Sequence, residues 1–171
     1  MQVTTATAAA ATAMATLMLG LGPAAPAGAS GEHALNGTFA VTSLGDWAKT
    51  RDVYMDEPTV RSTWTISSSC DTPISCTGTV SSDQGWTEPV KMGSGEVWRI
   101  DRDLENWVPC PDGTSAPGHQ IYMFYPVDEA GFVKTGSPVF AGYDKTMGPS
   151  GACGINNRQR IEMPLKLVRI T

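Results

Sequence analysis

Two histidines, a short row of carboxylates, four cysteines and five tryptophans are the side chains from which this chain could build chemistry. Nucleophilic hydrolysis needs an attacking group, a base and a third group that orients the base. His33 stands near the start of the folded part, and His119 just before an apolar run. Both read as surface or strand-end residues rather than as a general base. Ser150, in Gly148-Pro-Ser-Gly-Ala-Cys-Gly, lacks the Gly-Asp-Ser-Gly pattern of a protease loop, and no G-x-S-x-G elbow occurs. Asp101, Asp103 and Glu105 alternate, so an extended strand would place all three on one face. Paired carboxylates serve glycosidases and oxygen ligands serve Ca²⁺. Here Arg99 and Arg102 neutralise them and no Gly-punctuated calcium loop surrounds them, so a solvated strand face is expected. No catalytic residue, metal or cofactor is assigned.

The cysteines carry a firmer reading. Cys70, Cys76, Cys110 and Cys153 are even in number and lack the paired short spacings of a zinc site. In an exported domain such a set reads as a disulfide framework. Cys70 and Cys76 flank Asp71-Thr-Pro-Ile-Ser75, whose Asp and Pro suit a turn that brings the sulfurs together across a hairpin. The favoured pairing is therefore Cys70–Cys76 with Cys110–Cys153.

Export is supported by the N-terminus. Residues 1–30 contain no charged side chain, and Ala8 to Leu21 is an unbroken run of Ala, Met, Leu, Thr and Gly. That run is too short to span a bilayer but matches the apolar region of a signal peptide, followed by Ala27-Gly-Ala29. Basic residues before the run are missing, the first Lys or Arg being Lys49. The expected division is a signal peptide over 1–29 and one domain over 30–171.

That domain must position the rest. With 18 Gly, 12 Pro and 17% charged residues, the composition favours a turn-rich β protein. The net charge of −5, with Lys and Arg scattered, gives no basic stripe for nucleic acid. No later run is long enough for a transmembrane segment. Short alternating runs separated by turn residues place strands at 36–43, 60–70, 76–82, 86–92, 96–110, 120–127, 132–143 and 161–167. Trp47 to Tyr54 is the one stretch with a hint of helical spacing, and Pro164 predicts an edge or a bulge. Eight sequential antiparallel strands fit an all-β, up-and-down β-barrel, with a β-sandwich as the alternative.

The motifs LNGTF (Leu35 to Phe39), WTISSSC (Trp64 to Cys70), SDQGW (Ser82 to Trp86), WVPCPDGT (Trp107 to Thr114), PSGACG (Pro149 to Gly154) and MPLKL (Met163 to Leu167) run through the domain. Together they resemble a group of small exported mycobacterial four-cysteine proteins. The resemblance implies a secreted or envelope-associated domain and brings no catalytic residues with it.

What remains for function is the aromatic set. Trp86, Trp98, Trp107 and Tyr122 could line a pocket or binding patch, and Gln120 to Val127 is apolar on both faces, as in a central strand or a contact surface. The expected function is a non-enzymatic exported binding or interaction module of the envelope or extracellular space. Its partner would be a protein or glycan on the surface, or an apolar small molecule such as a lipid held inside a carrier barrel. A secreted hydrolase is the remote alternative.

Overall fold

A computed structural model describes residues 31–171; the expected signal peptide over 1–29 lies outside the described residues. The chain order is β1 (Gly37–Ser43), a 3₁₀ turn (Gly45–Trp47), β2 (Lys49–Thr50), β3 (Val53–Tyr54), β4 (Val60–Thr72), β5 (Ser75–Ser82), β6 (Thr87–Met92), β7 (Trp98–Pro109), β8 (Ser115–Pro126), β9 (Val139–Met147) and β10 (Arg160–Arg169). From β4 to β10 each strand pairs antiparallel with the next, and β1 bonds to both β4 and β10. The sheet therefore closes as an eight-stranded up-and-down barrel rather than splitting into a sandwich. Closure removes the open edges that a free sheet would expose.

Period-two alternation decides what fills it. Phe39 and Val41 of β1, Trp64 and Ile66 of β4, Val80 of β5, Val90 of β6, Trp98 and Ile100 of β7, Phe124 of β8 and Leu165 and Leu167 of β10 all turn inward and are buried. Phe140 meets Phe39 and Phe124 edge-on, with ring centroids 5.8 and 5.9 Å apart. Gly142 sits opposite Phe124 where two strands approach closely. A Cβ there would fall 1.9 Å from the Met123 carbonyl oxygen, so only glycine fits.

Both disulfides form in the expected pairing. Cys70–Cys76 staples the β4–β5 hairpin at a registered pair. Cys110–Cys153 ties the far end of the β7–β8 hairpin to the loop between β9 and β10.

Three expectations change. The segment 47–54 is not helical: Arg51 and Asp52 adopt φ of 51° and 68°, and the two positive values make a tight hairpin turn between β2 and β3. β9 starts at Val139, because Asp128 caps the amides of Ala130 and Phe132 and Gly131 and Gly136 take positive φ, making 128–138 a loop. β8 starts at Ser115, earlier than its apolar run suggests, since the β7–β8 hairpin extends past a register shift between Leu104 and Val108. Pro164 lies between the stretch of β10 that pairs with β2 and the stretch that pairs with β1. There its carbonyl accepts from Leu44 N at 2.8 Å, so the proline marks a change of partner.

Candidate functional site

Register brings the chemistry-bearing residues of β7 and β8 together on the outside of the barrel. Asp103 lies opposite His119 and Asp101 opposite Ile121. His119 Nδ1 is 2.8 Å from Asp103 Oδ1, and its Nε2 is 3.2 Å from Asp101 Oδ1. Arg99 donates twice to Asp101, at 2.6 Å each. The hydrogen bond to Asp103 is the main cause raising the His119 pKa above its ordinary value, and Arg99 holds the Asp101 carboxyl below its own. With a carboxylate at each ring nitrogen the imidazolium form of His119 is stabilised. The cluster is thus an ion-pair network on a half-exposed face. Glu105 is exposed and stands beside the register shift, outside the network. His33 is not part of it; its Nδ1 lies 3.6 Å from Glu96 Oε1. Among the described residues no group of His, Cys, Asp and Glu is arranged to hold a metal.

The four aromatic residues expected to share a patch do not. Trp98 is 2% exposed and belongs to the core. Trp107 is nine positions along the same strand, which in extended backbone is roughly 30 Å. It packs instead against Gly118 and Gly148, where a Cβ would meet its ring and Val108. Trp86 and Tyr122 do come together, stacked at 6.0 Å, with Trp64 edge-on to both. Arg102 covers the Trp86 ring at 4.5 Å. Tyr122 is itself buried, and burial pushes its hydroxyl pKa up.

Beside this aromatic group lies a buried carboxylate that sequence reasoning missed. Asp144 of β9 accepts from Gln120 Nε2 and from Ser43 Oγ, both at 2.8 Å. The partners are 24 and 101 residues away, so only the polar Gln120 at the head of an apolar run hints at it. Burial, opposed by those two hydrogen bonds, raises the Asp144 pKa. An acid with a raised native pKa binds more protons folded than unfolded. Its favourable contribution is therefore full at low pH and fades as pH climbs from 3.8 through the native pKa. Asp144→Asn keeps an acceptor for Gln120, and the Ser43 hydroxyl can turn to accept from the new amide. The variant is expected to lose that decline and to be more stable than the parent at neutral pH. Urea midpoints at acidic and neutral pH test this; a variant less stable at neutral pH would show that the charge is well compensated.

The remaining outward residues divide the barrel's exterior in two. On β4, β5 and β6 the outward side chains include Thr63, Thr65, Ser67, Ser69, Thr77, Thr79, Ser81 and Thr87, with Arg61, Pro89 and Lys91 among them, mostly exposed. On β8 they are Ile121, Met123 and Tyr125, with Tyr143 of β9 opposite Met123 and donating its hydroxyl to the Met123 sulfur. The ion-pair network of Arg99, Asp101, Asp103 and His119 borders this apolar strip on one side, and the Lys145–Glu162 pair on the other. A hollow of about 450 Å³ lies at its end between His119, Met147 and Arg158.

Fold and surface together define a class: a small, disulfide-stapled, filled up-and-down barrel with one polar and one apolar flank. No family model matches the chain, and no curated protein matches it. Among solved structures it is similar to the monomer form of the M. tuberculosis PknI sensor domain, with a TM-score of 0.55 and 15% identity over 80% of this chain and 87% of that one. At that identity the likeness shows the fold.

Proposed function

We propose that this is an exported, non-enzymatic interaction module that meets a protein partner through the outer face of β7, β8 and β9. The observation that carries the reading is the asymmetry of the exterior. One flank is mostly Ser and Thr, and the other presents Ile121, Met123, Tyr125 and Tyr143 inside a rim of ion pairs. Interface centres are enriched in aromatics and Met, with charged groups at the rim. The interior is occupied by Phe39, Trp64, Trp98, Phe124 and Leu167, each 2% exposed or less, which argues against cargo carried inside. Two disulfides with no free cysteine support an oxidising compartment. The likeness to a sensor domain agrees with a module that binds rather than reacts.

Site-specific photo-crosslinking in the producing cells tests it. A photoreactive residue at Met123 is expected to give a discrete cross-linked species, and one at Thr79 on the polar flank is not. No species from Met123, or the same set from both positions, would overturn the reading.

A further inference from the structure

A depression of about 960 Å³ lies on the strands next to that face, under the loop joining β8 to β9. We infer that it binds a single-chain amphiphile with an anionic head group, the chain lying on an apolar floor and the head on Lys134 and Lys166. The inference stands whether or not the face of β8 takes a protein partner.

The floor exists because of small or cyclic side chains. Ala141 and Pro164 occupy outward positions on β9 and β10 where a larger residue would fill the space, and Leu44 and Val127 extend the apolar surface on either side. The volume falls within the range of preformed small-molecule sites. The overhanging wall is held in place rather than loose. Asp128 Oδ1 accepts from the amides of Ala130 and Phe132 at 2.9 Å each. Val127 N donates to Val139 O at 2.9 Å, Lys134 N to Pro126 O at 3.0 Å, and Ser137 Oγ to Val127 O at 2.6 Å.

Charge selects the head group. The chain carries a net −5, yet two ammonium groups line this groove. Neither Lys134 nor Lys166 is paired with a carboxylate among the described residues, whereas Lys145, Arg99 and Arg160 are. Asp128 and Glu129 also line the groove at the loop, and the Asp128 carboxylate is turned to the Ala130 and Phe132 amides. An apolar trough with two uncommitted cations is complementary to an alkyl chain ending in a carboxylate or a phosphate. A neutral or cationic amphiphile of equal length gains nothing from the lysines.

Titration of the intact protein, followed by calorimetry and backbone NMR below micelle formation, tests the site. The probes are dodecanoate, monododecyl phosphate and dodecyltrimethylammonium. The first two are expected to saturate with shifts confined to β9, β10 and residues 127–138, and their relative affinities identify carboxylate or phosphate as the preferred head. The cationic probe is expected not to bind. Lys134→Glu with Lys166→Glu should weaken the anions about tenfold or more, as removal and reversal of two exposed charge contacts implies. Ala141→Trp, pointing into the groove, should abolish binding while the exposed lysine variants guard against a folding artefact. Equal binding of the cation, no saturation below micelle formation, or undiminished affinity in Ala141→Trp would each overturn the assignment.

Discussion

Replacing Cys110 and Cys153 together with alanine is expected to lower the stability of the domain by about 4 kcal/mol. The bridge spans 43 residues, and cross-linking removes loop-closure entropy from the unfolded chain in proportion to the logarithm of that span. By the same relation Cys70–Cys76, separated by 6, contributes only about 2 kcal/mol. Cys153 sits in a 3₁₀ turn at φ 55°, between Gly151 and Gly154, which also have positive φ. A non-glycine residue in that region is strained, and relief of that strain on removing the bridge would offset part of the loss. The tether also fastens the end of the β7–β8 hairpin, where Trp107 fits over Gly118 and Gly148. Urea unfolding of the two double-alanine variants, under oxidising conditions and at one pH, measures both. Equal midpoints for the two variants, or for the long-range variant and the parent, would show that the unfolded chain is not constrained as the loop model requires.

That pairing was legible in the sequence for a simple reason: a six-residue separation with a turn between leaves little choice for Cys70, and the remaining two cysteines follow. The barrel was legible for a similar reason. Alternation at Phe39/Val41, Trp64/Ile66 and Leu165/Leu167 is written within each strand and needs no partner to be read. Loop chemistry was harder. Residues 132–138 are apolar enough to pass for strand, and only the Asp128 caps and the two glycines at positive φ show that the backbone turns there. The site was legible in parts and not as a whole. The alternation of Asp101 and Asp103 put them on one face, and His119 stood at a strand start. Their meeting depends on register, which the shift between Leu104 and Val108 sets, and one residue of slippage would put His119 out of reach. The expected aromatic patch failed on the same ground. Trp98 and Trp107 are nine positions apart, so one is inward and buried while the other is toward the far end and packed on glycines. What the doubly apolar run from Gln120 to Val127 did convey was sound: its inner residues Tyr122 and Phe124 build the core, and its outer residues Ile121, Met123 and Tyr125 give the barrel an apolar flank.

The second large effect concerns the centre of that core. Trp64→Ala is expected to cost about 3–5 kcal/mol, in the range for deleting a large buried aromatic ring. Trp64 is 1% exposed and lies within 4.9 to 6.2 Å, centroid to centroid, of Tyr122, Trp86 and Phe124. Its strand is paired on both sides, with Phe39 opposite on β1 and Ser82 on β5, so the backbone has little freedom to collapse into the space. A cavity would open beside Tyr122, which neighbours the buried Asp144 in register. The Trp64 indole N–H has no hydrogen-bond partner among the described residues, so packing dominates the loss. For that reason Trp64→Phe should be distinctly milder than Trp64→Ala: it keeps an aromatic ring and forfeits no hydrogen bond. Trp47, at 63% exposure on the excursion outside the barrel, provides the control, and Trp47→Ala should change stability by no more than about 0.5 kcal/mol. Urea denaturation with an unchanged slope reads all three. A Trp64→Ala variant as stable as Trp47→Ala would mean that the barrel is not packed around this ring, and the case against an interior cargo would fall with it.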